Sequence, residues 1–188
     1  MLSKEEIKEY LAKNLEKKRY EHVLGVAETA KKLAALNDID ENAAEIAGLA
    51  HDVAKNMSKD EMYKVMIENN IVLSEVEKRN KSLWHSIIAP IIAKEKLGIE
   101  DSEILSSLRW HTTGKEHMTD LEKVIYIADM IEPGRDFPGV DELRKITFEN
   151  LDDGVLAGLN TTLKFLLGKN QLLDENTIEA RNYLLMNK

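Results

Sequence analysis

Apolar residues recur along this chain at three- and four-residue spacings almost without interruption, the period of helices that each bury one face. Ser3 with Glu6 forms a capping box that opens a helix carrying Ile7, Tyr10, Leu11 and Leu15 on one side. From about Tyr20 to Leu36 a second helix has His22, Val26, Ala30 and Leu33 in register, so His22 falls on the apolar face. A third, after Asp40, places Ala43, Ala44, Ala47 and His51 together and turns His51 inward. Ser58 with Glu61 and Ser74 with Glu77 are further capping boxes, and Met62, Val65 and Met66 make a core stripe between them.

In SLWHSIIAPIIAKEKLG, the residues His85, Ile88, Ala89 and Ile92 share a face, and Pro90 demands either a kink or a helix that starts late. Asp101 caps a helix with Ile104, Leu108 and His111 on one side. Thr119 with Glu122 caps the next, whose inward stripe is Leu121, Val124, Ile125, Ala128 and Asp129. EPGRDFPGVD, holding two of the chain's three prolines, reads as a rigid loop. A long helix then runs to about Gly168, and Asp174 caps a last one reaching Met186. No stretch alternates with the period of a strand. The expectation is an all-α fold of eight or nine helices in a single domain over residues 1–188.

Composition narrows the function classes. A chain of 188 residues can bury most of its apolar surface in one core. With no apolar run near the roughly 18 residues of a membrane span, and no secretory pattern at the start, a cytoplasmic protein without a membrane partner is expected. There is no cysteine, so a metal site here is built from His, Asp, Glu and carbonyls. The net charge of −8 argues against nucleic acid as a partner, since that binding runs on Lys and Arg against phosphates. An anionic small-molecule substrate would need a locally positive pocket.

Four of the five histidines, His22, His51, His85 and His111, fall on the apolar faces of four separate helices. One histidine on an apolar face is ordinarily a core residue. Four of them, joined by the inward carboxylates Asp52 and Asp129, strain that account, because a buried carboxylate needs a partner or a metal. Adjacent residues on a helix diverge by about 100°, so His51 and Asp52 reach one ion only at a helix terminus or when the ion sits between their faces. The helix carrying them is expected to end near Asn56. His117, in a polar loop, is expected to be exposed. Thr112-Thr113-Gly114 is open between a helix stop and a phosphate-binding turn.

The order His22, then His51-Asp52, then Asp129 resembles the H…HD…D signature of the HD-domain metal-dependent phosphohydrolases. The stretches RYEHVLGVAETA, LAHDVAKN, LWHSIIAP and LRWHTTGKEHMTDLEKVIYIADMIEPGRDFPGV are similar to the bacterial YqeK family of symmetrical diadenosine tetraphosphate hydrolases, across Arg19 to Val140. Trp110 is a local departure, where that family has a tyrosine. The resemblance places the core motifs in about 19–140, with the helices of 141–188 packed on them.

It implies His22, His51, Asp52 and Asp129 as metal ligands, with iron the expected divalent ion, manganese or zinc as alternatives, and one ion or two. His85 and His111 would face the phosphates, or would hold a second metal. Lys55 completes the candidate catalytic set, as a lysine in contact with the phosphates or, equally, as a solvated helix-end lysine favourable to the dipole. Arg19, Arg135 and Asp129 would line the substrate, the arginines supplying positive charge and Arg135 held still by its proline-rich loop. The expected reaction is symmetrical cleavage of a dinucleoside polyphosphate to two ADP by metal-activated water. Two alternatives remain open: another HD-type phosphohydrolase, acting on nucleotides, alarmones or cyclic dinucleotides, and a metal- or nucleotide-binding module without turnover. Apolar positions on the terminal helices would allow a homodimer.

Overall fold

The computed structural model describes residues 1–188, whose regular structure is all helical, with no strand. Eleven α-helices follow one another: α1 Lys4–Asn14, α2 Lys17–Leu36, α3 Glu41–Ala50, α4 Lys59–Glu68, α5 Glu75–Arg79, α6 Trp84–Ile92, α7 Ser102–Trp110, α8 Asp120–Ile131, α9 Val140–Glu149, α10 Leu151–Gly168 and α11 Glu175–Met186. A 3₁₀ turn, Lys81–Leu83, leads into α6, and a π turn, Ala93–Leu97, continues it. The all-α expectation therefore holds, but eight or nine helices is too few.

Two features account for the difference. The long helix expected to run to Gly168 is broken at Asn150, whose extended backbone (φ −155°, ψ 122°) ends α9 while its side chain accepts from the Asp153 N–H and starts α10. The box at Ser74 and Glu77 opens a helix of only five residues. All four capping boxes form as expected, at Ser3, Ser58, Ser74 and Thr119.

Pro90 lies inside α6, so the helix does not start late. The proline has no N–H to offer the Ser86 carbonyl, and the winding loosens to the π turn shortly after it. That turn ends at Gly98 in the left-handed conformation (φ 66°).

One contiguous apolar cluster runs from Ile7 to Leu184 and includes Val26, Ala47, Ile88, Leu108, Ile125, Leu159 and Ala180. α2 packs along α3 and α8, and α7 lies against α6 and α8. At the α2–α3 crossing a Cβ on Gly48 would stand 2.6 Å from the Ala27 Cα, so the two backbones nearly touch. This close crossing brings the end of α3 beside the middle of α2. Phe165, Leu167, Leu185 and Met186 of the terminal helices are exposed, as the pattern predicted. No helix is long and apolar enough to cross a membrane.

Candidate metal centre

Each histidine singled out by the pattern is delivered inward by a different element. His22 stands in the interior of α2, His51 caps the C-terminus of α3, His85 is in the first turn of α6, and His111 caps α7. All four are buried, and Asp52 is 1% exposed. Asp129 enters from the last turn of α8.

The helix bearing the His-Asp pair ends at Ala50, not near Asn56. From there the chain winds through hydrogen bonds three residues apart, Val53 N–H to Ala50 O, Lys55 N–H to Asp52 O and Met57 N–H to Ala54 O. His51 and Asp52 thus sit at a helix terminus, where both side chains can face one point.

The donor atoms converge. His22 Nε2 is 3.0 Å from Asp129 Oδ1 and 3.9 Å from Asp52 Oδ2, and His51 Nε2 is 3.5 Å from Asp52 Oδ2 and 3.9 Å from Asp129 Oδ1. On the other side of the same carboxylate, Asp52 Oδ1 is 3.2 Å from His85 Nε2 and 3.7 Å from His111 Nε2, and those two nitrogens are 3.2 Å apart. His22, His51 and Asp129 form one group whose ligand atoms lie within 4.8 Å of one another; His51, Asp52 and His111 form a second.

The tautomers follow from the other ring nitrogen. His51 Nδ1 is 2.7 Å from the Gly48 carbonyl, His85 Nδ1 is 2.7 Å from that of Ser82, and His111 Nδ1 is 2.8 Å from that of Leu108. A carbonyl only accepts, so each Nδ1 carries a proton and each ring turns its Nε2 inward. For His22 the acceptor is Glu132, whose Oε1 lies 3.1 Å from Nδ1.

Three buried atoms, His22 Nε2, His51 Nε2 and Asp52 Oδ1, have no hydrogen-bond partner. His22 Nε2 is close to Asp129 yet is not aligned to donate to it. Buried polar atoms left without a partner are costly for a protein alone and are the arrangement a cation satisfies. The donor set of imidazole nitrogen and carboxylate oxygen, without sulfur, fits a divalent metal.

The electrostatics agree. Burial works against ionisation of Asp52, but His51, His111 and His85 outweigh it and hold its carboxyl well below the usual range. Asp129 is likewise held low, burial being outweighed by His22, His51 and Arg135. Burial, helped by His111 and Lys55 and opposed by Asp52, pushes His85 down to about 4, so it is neutral at ordinary pH.

The cations expected at the site are there, and they face the carboxylates. Arg19 donates to Asp52 Oδ2 at 2.7 Å, and Arg135 donates from Nε to the Asp129 carbonyl at 2.7 Å and from its terminal nitrogen to Asp129 Oδ1. Lys55 Nζ is 3.1 Å from His85 Nε2 and 3.8 Å from Asp52 Oδ1, and burial lowers its proton affinity. All three remain partly exposed and form the rim.

Thr112-Thr113-Gly114 is a helix stop: Gly114 is left-handed (φ 67°) and its N–H returns to the Trp110 carbonyl at 2.8 Å. His117 is exposed, against Tyr183. The sequence reading missed Glu132, which lies in the proline-glycine stretch read as a loop, three residues after Asp129 and so on the same side of the end of α8. Glu122, named as a cap, also accepts from Ser106 and pairs with Lys115 at 2.8 Å, tying α7 and the segment after His111 to α8.

The HD domain profile matches residues 19–134. The chain is 38% identical over 184 residues to the symmetrical bis(5'-nucleosyl)-tetraphosphatase of Bacillus subtilis (strain 168), covering 98% of both chains. It is 36% identical over 181 residues to that of Staphylococcus aureus (strain NCTC 8325 / PS 47), covering 95% of this chain and 93% of the relative. A crystal structure from Clostridium acetobutylicum, described as a predicted HD superfamily hydrolase involved in NAD metabolism, superposes with a TM-score of 0.96 at 45% identity over the whole of both chains. This chain therefore belongs to the HD domain family, among the relatives of the symmetrical bis(5'-nucleosyl)-tetraphosphatases.

Proposed function

We propose that this chain hydrolyses dinucleoside tetraphosphates symmetrically, releasing two ADP from diadenosine tetraphosphate, at a centre of divalent metal, with iron the ion expected. The observation that carries the reading is the convergence of four imidazole Nε2 atoms on Asp52 and Asp129, with three buried donor atoms unpartnered, in a chain that matches a symmetrical tetraphosphatase end to end.

His22, His51, Asp52 and Asp129 would hold the metal, which when bound supplies Lewis-acid polarisation of a phosphoryl oxygen and acidifies water. The remaining work belongs to side chains. Arg19, Lys55 and Arg135 stand at the rim where a polyphosphate must enter, each anchored by one carboxylate and each with a face to solvent. Arginine's planar fork suits phosphate oxygens, so Arg19 and Arg135 orient the chain of phosphates. Lys55 keeps its protons at Nζ beside His85 and neutralises charge developing on the leaving nucleotide.

His85 and His111 support a second reading of their own role. Each commits an Nδ1 proton to a backbone carbonyl and turns Nε2 toward Asp52 Oδ1. These two Nε2 atoms and the unpartnered Asp52 Oδ1 would be the donor atoms for a second ion.

The test is turnover of diadenosine tetraphosphate by the full chain loaded with iron or manganese, with products separated by chromatography. Two ADP per substrate is expected. ATP plus AMP, or turnover confined to mononucleotides or cyclic dinucleotides, would put the chain with other HD phosphohydrolases, and no turnover of any nucleotide would leave a binding module.

A further inference from the structure

We infer that Glu132 is a positioning residue that fixes the tautomer and ring plane of His22, and that Gly25 is a glycine to make room for its carboxylate. The inference deepens the metal reading and rests on it for the role of His22.

The four inward histidines need the same thing, an acceptor that keeps the proton on Nδ1. His51 and His111 sit at helix C-termini, where the last backbone carbonyls lack an internal N–H partner, and His85 follows the 3₁₀ turn that opens α6; each takes the carbonyl three residues back. His22 is the sixth residue of a twenty-residue helix, whose interior carbonyls are already bonded. A side chain must supply its acceptor. Glu132 does, from the C-cap of α8, turning back into the protein at 5% exposure.

Its two oxygens are divided between two donors. Oε1 is 3.1 Å from His22 Nδ1, and Oε2 accepts the Gly134 N–H at 2.6 Å. The turn is clamped from α9 by Arg144, which donates to the carbonyls of Ile131 and Glu132 at 2.9 Å and of Arg135 at 2.8 Å. The carboxylate therefore cannot follow the ring if the ring turns.

Gly25 lies three residues after His22, on the same side of α2. A Cβ there would stand 2.6 Å from Glu132 Oε2 and 3.4 Å from its Cδ, and one on Gly134 would meet both carboxylate oxygens at 3.1 Å. Glycine in a helix interior is unfavourable relative to alanine. Its presence opposite this carboxylate has a packing reason.

The pair of variants Glu132→Gln and Gly25→Ala tests this in the full chain. Glutamine keeps the shape but offers one acceptor to two donors, so either His22 or Gly134 must face an amide N–H. In the metal-free protein, long-range proton–nitrogen NMR of labelled histidines should show His22 protonated at Nδ1 in the parent and mixed or shifted to Nε2 in Glu132→Gln. Titration with manganese(II) alone should weaken about 10- to 100-fold, the usual cost of losing a partner behind a metal-bound histidine. Gly25→Ala, which favours α2 as a helix, should weaken manganese binding while cooperative melting is retained, and it carries both measurements if Glu132→Gln does not fold. An unchanged His22 tautomer, or unchanged manganese affinity in both variants, overturns the inference. A parent chain that binds no manganese would defeat the ligand reading instead, and the NMR arm would still decide the Glu132 contact.

Discussion

At the scale of single residues, the site is defined by where each imidazole keeps its proton. Four rings turn four Nε2 atoms inward, and Asp52 offers a separate oxygen to each side. Two ions per chain are expected in metal-loaded protein measured by elemental analysis. His111→Ala should bring that to one and lower the affinity for it little, because His22, His51 and Asp129 form a group without it. His22→Ala should cost at least about a hundredfold in affinity on its own side, more than loss of an outer partner does. One ion in the parent chain, unchanged by His111→Ala, would return His85 and His111 to a role toward phosphate. The four inward histidines were legible in sequence because each shares a helical face with apolar residues, while Glu132 was not. An acid beside Pro133 and Gly134 carries no periodic signal, and only the fold shows that it meets a histidine 110 residues away.

At the scale of elements, the centre depends on how closely α2 and α3 cross. Gly48→Ala gains about 1 kcal/mol of helix propensity but puts a methyl 2.6 Å from the Ala27 Cα, backbone that cannot swing aside. Overpacking of this kind costs about 1–3 kcal/mol, so a net loss of about 1 kcal/mol and a melting point lower by a few degrees are expected. A higher melting point would mean that the helices separate freely. The N-terminal helix is pinned by Glu45 of α3, which accepts from Lys4 at 2.9 Å and Lys31 at 3.2 Å. Burial opposes the Glu45 charge, yet the two lysines outweigh it and lower its pKa below 4.5. A lowered pKa means stability present above the unfolded value and lost as pH falls through the folded one. Glu45→Gln should therefore be less stable than the parent at pH 7, by about 1 kcal/mol or less, and equal to it near pH 3 in denaturant titrations. A gap that persists at pH 3 would point to packing. Helices with capping boxes were legible, and so was the class of the fold. The break at Asn150 was less so, although Asn150 with Asp153 is a cap in the sequence. The apolar spacing continues across it, and only the extended backbone of Asn150 separates α9 from α10.

At the scale of the whole molecule, an acidic protein has to admit a polyphosphate. The net charge of −8 repels the substrate at long range, and that repulsion is screened over about 10 Å at 0.1 M salt. Close in, Arg19, Lys55 and Arg135 face Asp52, Asp129 and Glu132, three cations against three carboxylates, which sums to zero. The chain alone therefore offers a phosphate no net attraction at the rim, only hydrogen-bond geometry. Each divalent ion that the histidines and carboxylates would hold would add two positive charges close to the same rim. Nucleotide affinity should accordingly be governed by metal. ADP binding, measured by calorimetry, is expected to be at least about tenfold weaker after chelation than in metal-loaded protein. By the reciprocity of coupled sites, ADP should tighten metal binding by the same factor. Equal ADP affinities with and without metal would show that the arginines and Lys55 suffice, and that their pairing with the carboxylates opens when phosphate arrives.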